Sequence, residues 1–318
     1  MLTIATFNLC NLSASAAPAR FGRLGAIMAR DLQAPAIVAV QEIMQENVEP
    51  AAERMTVPAD GVYRTLIGAV ADAGGPTYAY REIPPLADQD GGMAGANIRV
   101  GVLFDPQRLQ FSDRGSAGPL DGVGIHFSGD GPRLTLNPGR IAPTHPAFAG
   151  DIHRHWAPSR KALAAEFEAE GRRLFAIVCH FKSMRALTRR EQDYAKKQRH
   201  AQAALIHDFA ADLLACDPEA AIVILGDLND VPGSKTLKQL KGSRFHNLLD
   251  DLSRGQCYTR RHGNQPQALD HIVVSPSLRR GATARIPHPN SDAAPGKPES
   301  ASDHDPVLAL LPAFATGF

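Results

Sequence analysis

Short apolar runs that each meet a polar functional group at one end constrain this chain more than any other feature. The strand-like stretch 2–7 leads into Asn8, Ala36 to Val40 into Gln41 and Glu42, and Leu174 to Cys179 into His180. Ile222 to Leu225 ends at Gly226, after which Asp227 and Asn229 stand two positions apart. Apolar runs of this length, bounded by polar residues, read as strands buried on both faces. Residues i and i+2 of an extended chain point the same way, so Asp227 and Asn229 share a face. A carboxylate at the end of a buried strand is costly unless it is paired, hydrogen-bonded or metal-bound. Later the order reverses: Asp270 precedes Ile272 to Val274, and Asp303-His304 precedes Val307 to Leu311. With the last strands antiparallel to the earlier ones, all these groups collect on one rim. Each taken singly also reads as a strand-end cap or a turn residue. Their convergence is what argues for a site.

Arg99 to Phe104 supplies a further strand, and helices fall between strands. Phe21, Leu24, Ile27, Met28 and Leu32 recur at helical spacing. Thr188 with Glu191 fits a capping box, ahead of an amphipathic run carrying Tyr194, Leu205, Phe209, Leu213 and Leu214. Ala162 to Glu170 stays open, since its Ala/Glu content favours helix while its position suits a strand. Helices alternating with doubly buried strands predict stacked α/β layers in one domain over residues 1–318. Gly- and Pro-rich stretches near 71–98, 112–158 and 281–301 read as loops, and loops this long in a compact domain are usually functional or mobile.

Composition narrows the partners. Hydrophobic residues at 44% and charged residues at 21% give a globular chain with a real core. A net charge of +1 creates no global field toward nucleic acid or membrane, so such a partner needs a local basic patch. Cys10, Cys179, Cys216 and Cys257 are too scattered for a disulfide framework or a CxxC zinc site. No stretch has the apolar length of a membrane span. The opening residues carry no signal-peptide pattern, so a cytoplasmic location is expected.

The gathered rim holds Asn8, Glu42, His180, Asp227, Asn229, Asp270, Asp303 and His304. Oxygen ligands such as Glu42 and Asp303 suit Mg²⁺ or Mn²⁺ better than zinc. The two histidines offer proton transfer and a donor to a phosphate oxygen, and Asp270 is placed to orient one imidazole. Neither a G-x-S-x-G nucleophile nor a phosphate-cradling glycine loop is present, which leaves activated water as the simplest attacking group.

Thr6-Phe7-Asn8, Gln41-Glu42, His180-Phe181-Lys182-Ser183, Gly226-Asp227-Leu228-Asn229-Asp230, Leu269-Asp270-His271-Ile272 and Ser302-Asp303-His304-Asp305-Pro306-Val307 occur in that order. Together they resemble the endonuclease/exonuclease/phosphatase superfamily, from residue 3 to about 311. The resemblance implies a four-layer α/β/β/α sandwich, two packed mixed sheets flanked by helices, with the site at one end. It implies hydrolysis of a phosphate ester by in-line attack of water with Mg²⁺ or Mn²⁺. Glu42 would be the main metal ligand, helped by Asn8 and Asp303. His304, oriented by Asp270, would be general base or phosphate donor. Asp227 would position or deprotonate the water, Asn229 would hold water or phosphate, and His180 would bind a phosphate oxygen. The resemblance leaves open whether Asp227 or His304 takes the proton. Arg160 matches the family's phosphate-binding arginine, although Lys161-Ala162 replace the prolines that usually follow it.

For substrate, the His-Phe-Lys-Ser motif is closest to bacterial nucleases of this superfamily, which implies DNA. Lys182, Arg140 and Arg160 are the candidate substrate-binding residues, with Arg154 as a further lining residue. Between 185 and 200, Arg185, Arg189, Arg190, Lys196, Lys197 and Arg199 outnumber Glu191 and Asp193. This excess suits a polyphosphate backbone, or equally a solvated helix face. His145, His153 and His155 read as a solvated loop more readily than as a zinc site. The alternatives to a nuclease are a phosphatase or phosphodiesterase for a small or lipid-headgroup phosphate, and a catalytically inactive scaffold. No obligate protein partner or membrane insertion is expected.

Overall fold

The computed structural model describes residues 1–46, 55–263, 265–291 and 300–314. The chain enters on β1 (Leu2–Leu12), continues through α1 (Pro18–Ala26) and a π-turn at Ile27–Asp31, and returns as β2 (Ile37–Ile43). After α2 (Asp60–Asp72) come β3 (Ala79–Arg81), β4 (Arg99–Phe104) and β5 (Gln110–Phe111). A hairpin of β6 (Ile125–Ser128) and β7 (Gly131–Leu134), then β8 (Gly139–Arg140) and the short α3 (Pro146–Ala149), lead to β9 (Leu163–Ala169) and β10 (Arg172–His180). The long α4 (Arg189–Cys216) precedes β11 (Ala221–Asp227), α5 (Lys235–Lys241) and β12 (His246–Asn247). A second hairpin, β13 (Arg260–His262) and β14 (Gln265–Gln267), feeds β15 (Asp270–Val274). Last come α6 (Pro276–Arg279), β16 (Thr283–Arg285) and β17 (Val307–Leu311).

Two mixed sheets carry the core, ordered β16-β17-β1-β2-β4-β3 and β12-β15-β11-β10-β9-β5, with β8 paired to β9. β2 runs parallel to β1 and β11 parallel to β10. β17 runs antiparallel to β1 and β15 antiparallel to β11. This is the reversal that the order of apolar and polar residues predicts, and it brings Asp227 opposite Asp270 in register.

Strand alternation sorts the apolar side chains into three layers. Between the sheets lie Ile4, Ile37, Ala39, Val102, Leu174, Ala176, Val178, Val223, Leu225, Ile272 and Val307. On the outer side of the first sheet, Ala5, Phe7, Val38 and Val40 pack against Phe21 and Leu24 of α1 and Val62, Leu66 and Val70 of α2. On the outer side of the second, Phe175, Ile177, Ile222 and Ile224 meet Ala203, Ile206, Ala210 and Leu213 of α4 and Leu237 and Leu240 of α5. The result is the expected α/β/β/α sandwich.

The open stretch 162–170 is a strand. Leu163, Ala165, Phe167 and Ala169 alternate into the inter-sheet core, and that burial overrides helix propensity. Glu170 and Gly171, both at positive φ, turn the chain directly into β10. Thr188 and Glu191 form the full capping box at the start of α4. The stretch 112–158, expected as loop, carries the β6–β7 hairpin, β8 and α3. Of the 281–301 stretch, residues 292–299 lie outside the described residues. No helix among the described residues is long and apolar enough to cross a membrane.

Candidate active site

Parity along the strands carries polar groups to the end of the inter-sheet core. Asn8 follows Ile4 at even positions of β1, His180 follows Val178, Asp227 follows Leu225, and Asp270 stands two before Ile272. All four therefore point between the sheets, where the apolar filling stops. Glu42 has the wrong parity, because Val38 and Val40 face the helices. A bulge corrects it: the register of β2 slips against β1 between Asn8 and Leu12 and against β4 between Gln41 and Ile43, with Glu42 at φ +61°. One extra residue re-aims a side chain, and here it brings the carboxylate back beside Asn8.

The two sheets are joined at the site by one amide. Asn8 Nδ2 donates to Glu42 Oε1 at 3.2 Å in its own sheet and to Asp227 Oδ2 at 3.0 Å in the other. Its Oδ1 accepts the Cys10 N–H, so the amide nitrogen, not the oxygen, meets the carboxylates. Glu42 Oε2 accepts the Asn11 N–H at 3.0 Å. Asp227 Oδ1 accepts the Asn229 N–H at 2.9 Å, and Asn229, at φ +50°, sends its Nδ2 to the Phe181 carbonyl. Gly226 sits at φ +141°, where a Cβ would fall 1.9 Å from the Cys179 oxygen, so only glycine lets Asp227 follow β11 this closely on β10.

Electrostatics divides the titratable groups. Burial raises the Asp227 pKa, and the nearby Asp270 and Glu42 charges add to that. Burial pushes His180 far below the usual imidazole range, reinforced by Arg160 and His304, so it is neutral. Its Nε2 lies 3.5 Å from Asp227 Oδ2 and 3.7 Å from Glu42 Oε1, while its Nδ1 is buried without a protein partner. Burial also opposes a charge on His304, but Asp270, fully buried and 2.7 Å from its Nδ1, outweighs it and holds the imidazole protonated. Ser302 Oγ donates to the Asn8 carbonyl and accepts the His304 N–H, tying the last motif to β1.

The structure brings together Asn8, Glu42, His180, Asp227, Asn229, Asp270 and His304. Ligand atoms of Glu42, His180 and Asp227 lie within 4.8 Å of one another, as do those of Asp227, Asp270 and His304. Asp303 belongs to neither group. It sits half-exposed at the rim, with Oδ2 2.6 Å from Arg260 on β13. Arg160 is buried, with one amino group 2.5 Å from the Phe181 carbonyl and an Nε lacking a protein partner. Lys182 is half-buried, its N–H held by Gln202 of α4. Arg140 is placed differently from the substrate-lining position expected of it: it is buried 3.0 Å from Asp90, an anion it shares with Lys161, and it donates to the Ile83 and Pro119 carbonyls. A guanidinium so fully used has nothing left for a substrate. Arg199 is likewise buried, against Asp230. Among the described residues His145, His153 and His155 do not converge on a metal-sized site. His145 instead caps α3 through Nδ1.

Sequence reasoning missed the supporting residues. Thr259 Oγ1 accepts the N–H groups of Leu269 and Asp270 and so fixes the carboxylate of the pair. Asp230 accepts from Thr236 and pairs with Arg199, and its carbonyl contacts His271, locking the Asp227–Asp230 turn. Asp230 lies inside a recognisable motif and was findable. Arg260 and Thr259 carry no local signal.

No curated protein matches the sequence. Among solved structures, the mannosyl-6-phosphatase of Bacteroides thetaiotaomicron superposes with a TM-score of 0.59 at 14% identity, over 98% of this chain and 99% of that one. Truncated Caenorhabditis elegans TDP2 gives 0.56 at 13% identity, covering 97% and 96%. D. rerio TDP2 in complex with a single-strand DNA product gives 0.56 at 14% identity, covering 97% of each. These likenesses are of fold. The profile of the Endonuclease/Exonuclease/phosphatase family matches residues 5–304, a span that takes in the polar ends of β1, β2, β10, β11 and β15 as well as His304, and the chain belongs to that family.

Proposed function

We propose that the chain is a divalent-metal-dependent phosphodiesterase that hydrolyses DNA with water as nucleophile. Glu42, with Asp227 beside it, would hold Mg²⁺ or Mn²⁺, while Asn8 orients both carboxylates through its Nδ2 and Asp303 stays paired with Arg260 at the rim. The carboxylate oxygens of Glu42 and Asp227, within 4.8 Å of each other and of a His180 ring nitrogen, fit such a hard ion. Bound there, the ion would supply Lewis-acid stabilisation of charge on a phosphoryl oxygen. Asp227, pinned through Oδ1 by Asn229 and through Oδ2 by Asn8, positions the attacking water and takes its proton. His304 is held as an imidazolium by Asp270, so it donates a hydrogen bond to the phosphate and is not the base. Neutral His180 and the Arg160 Nε are further donors for developing negative charge.

The observation that carries the DNA reading is charge beyond the site. Past Lys182, the residues Arg185, Arg189, Arg190, Lys196 and Lys197 are all exposed, in a stretch that starts five residues from His180. A small phosphate ester has no use for cations strung along a helix, whereas a polyphosphate backbone does. The fold neighbours do not choose between these, since one is named a mannosyl-6-phosphatase and another is bound to single-strand DNA product.

The test is incubation of supercoiled plasmid, linear DNA and a sugar phosphomonoester with Mg²⁺ or Mn²⁺, alongside EDTA and Asp227→Ala controls. Metal-dependent DNA cleavage absent from both controls is expected. Monoester turnover without DNA cleavage would move the assignment to a phosphatase. Inactivity on every substrate in an intact, metal-binding protein would make it a scaffold.

A further inference from the structure

We propose that the stacked rings of His155 and Tyr194 form a base-stacking platform for single-stranded DNA beside the hydrolytic site, an inference that rests on the nuclease reading above. His155 sits at φ +55° just after the turn Ile152–Arg154 and is exposed, and its ring lies 4.7 Å from that of Tyr194 with the planes 26° apart. Arg190, one turn before Tyr194 on α4, donates from Nε to the phenol oxygen at 2.7 Å and holds that ring in place. The turn beneath His155 is braced as well. Asp151 and Trp156 exchange backbone hydrogen bonds at 2.8 and 2.9 Å, Asp151 Oδ1 accepts the His153 N–H, and the Arg154 guanidinium lies over Trp156. An exposed imidazole so firmly oriented adds nothing to the core. Tyr194 is stacked on His155 and has the Arg190 guanidinium 5.5 Å from its ring centroid, so the ring left to receive a base is the exposed His155 imidazole.

The platform is rigidly coupled to the site. Gln198, one turn after Tyr194, donates to the carbonyls of Ala147 and Ala157. Gln202, one turn further, accepts the Lys182 N–H and donates to Ala147. The 147–157 segment and Lys182 are therefore tied to the helix that carries Tyr194. Two turns of helix put the rings about 12 Å along the axis from the residue that holds Lys182, a span of a few nucleotides. Arg189, Lys196 and Lys197, on the same helix as Tyr194, are exposed and can meet a phosphate backbone. Stacking of a base on a side chain requires a base that is out of a duplex, and it tolerates any sequence because every base has a π-face. The platform thus selects single strands or frayed ends over paired DNA.

The decisive measurement is fluorescence anisotropy of a fluorescein-labelled oligothymidine in EDTA, with a blunt duplex of equal length as competitor. Wild type should prefer the single strand. His155→Ala and Tyr194→Ala should each weaken single-strand binding about tenfold, leave duplex binding unchanged, and keep the salt dependence. His155→Phe should retain affinity, and all three variants should hydrolyse a small chromogenic phosphodiester as wild type does with metal. If wild type binds the single strand and the alanine variants bind it equally well, the platform is wrong and the nuclease reading stands. If wild type binds neither DNA in EDTA, the platform is wrong, and metal-dependent cleavage alone decides the nuclease reading.

Discussion

His304 and Asp270 form a buried ion pair at 2.7 Å, and the chemistry turns on which protonation state that pair enforces. Because Asp270 raises the His304 pKa to about 10, the imidazole of metal-free protein should stay protonated through neutral pH in an NMR titration. Asp270→Asn should lower that titration by about one unit or more, since it removes the charge that opposes burial. His304→Ala should cut kcat about 10²- to 10⁴-fold on a phosphodiester while the circular dichroism spectrum is kept. Retained turnover in that variant would remove the proposed donor. Glu42→Gln keeps the shape of the bulged position but halves its ligand capacity. Calorimetry should then show weakened Mn²⁺ binding in a protein that still melts cooperatively, with one of the two hydrogen bonds to position 42 lost.

At the scale of elements, the second sheet depends on one carboxylate. Glu166 of β9 is buried, accepts from Arg114 at 2.9 Å and from the Leu134 N–H at 2.8 Å, and lies near Arg133 and Arg173. Burial opposes its charge, but Arg114, the Leu134 amide and Arg173 together hold its pKa below the usual glutamate range. A depressed carboxylate contributes stability that is complete above the unfolded pKa and is lost as pH falls through the folded one. Wild type should therefore lose stability below about pH 4.5, and Glu166→Gln should lose less over that range, by urea melts at several pH values. At neutral pH, Glu166→Gln should be less stable by about 2 kcal/mol, below the 3–5 typical of a broken buried pair because its arginines are partly exposed. Gly226→Ala should lower stability by about 1–3 kcal/mol from backbone strain alone and reduce turnover with it, because Asp227 is the next residue.

These elements also mark how far the sequence could be read. Each doubly buried run of β1, β10, β11 and β15 ends in a polar group, and the order reverses at β15, so Asn8, His180, Asp227 and Asp270 are legible as a set gathered on one rim. The bulge at Glu42 was not legible, because it depends on register against β1 and β4 at once. Motif order found Glu42 where parity would have discarded it. Arg140 was misread because a basic residue in a long loop looks available until its anion, Asp90, arrives from fifty residues away. Asp303 was read as a ligand, and its ion pair with Arg260 rests on a hairpin with no pattern of its own.

The whole molecule carries a net charge of +1, so attraction to a DNA backbone needs a local basic stretch, and the proposed one begins past Lys182. Replacing Arg189, Arg190 and Lys197 together with glutamine should lower single-strand affinity and flatten its log-log salt dependence by about 2 units. An unchanged slope would place the DNA elsewhere. The strand order has a further consequence, for the timing of synthesis. β1 lies between β2 and β17, and the partner of Leu2 is Leu311, so β1 waits for a strand far downstream of it to complete its ladder. His304 stands just ahead of that closing strand. A nascent chain on the ribosome thus has Asn8 and Glu42 early but lacks both the imidazole and the clasp that fixes β1. A fragment that stops short of β17 therefore holds only part of the site.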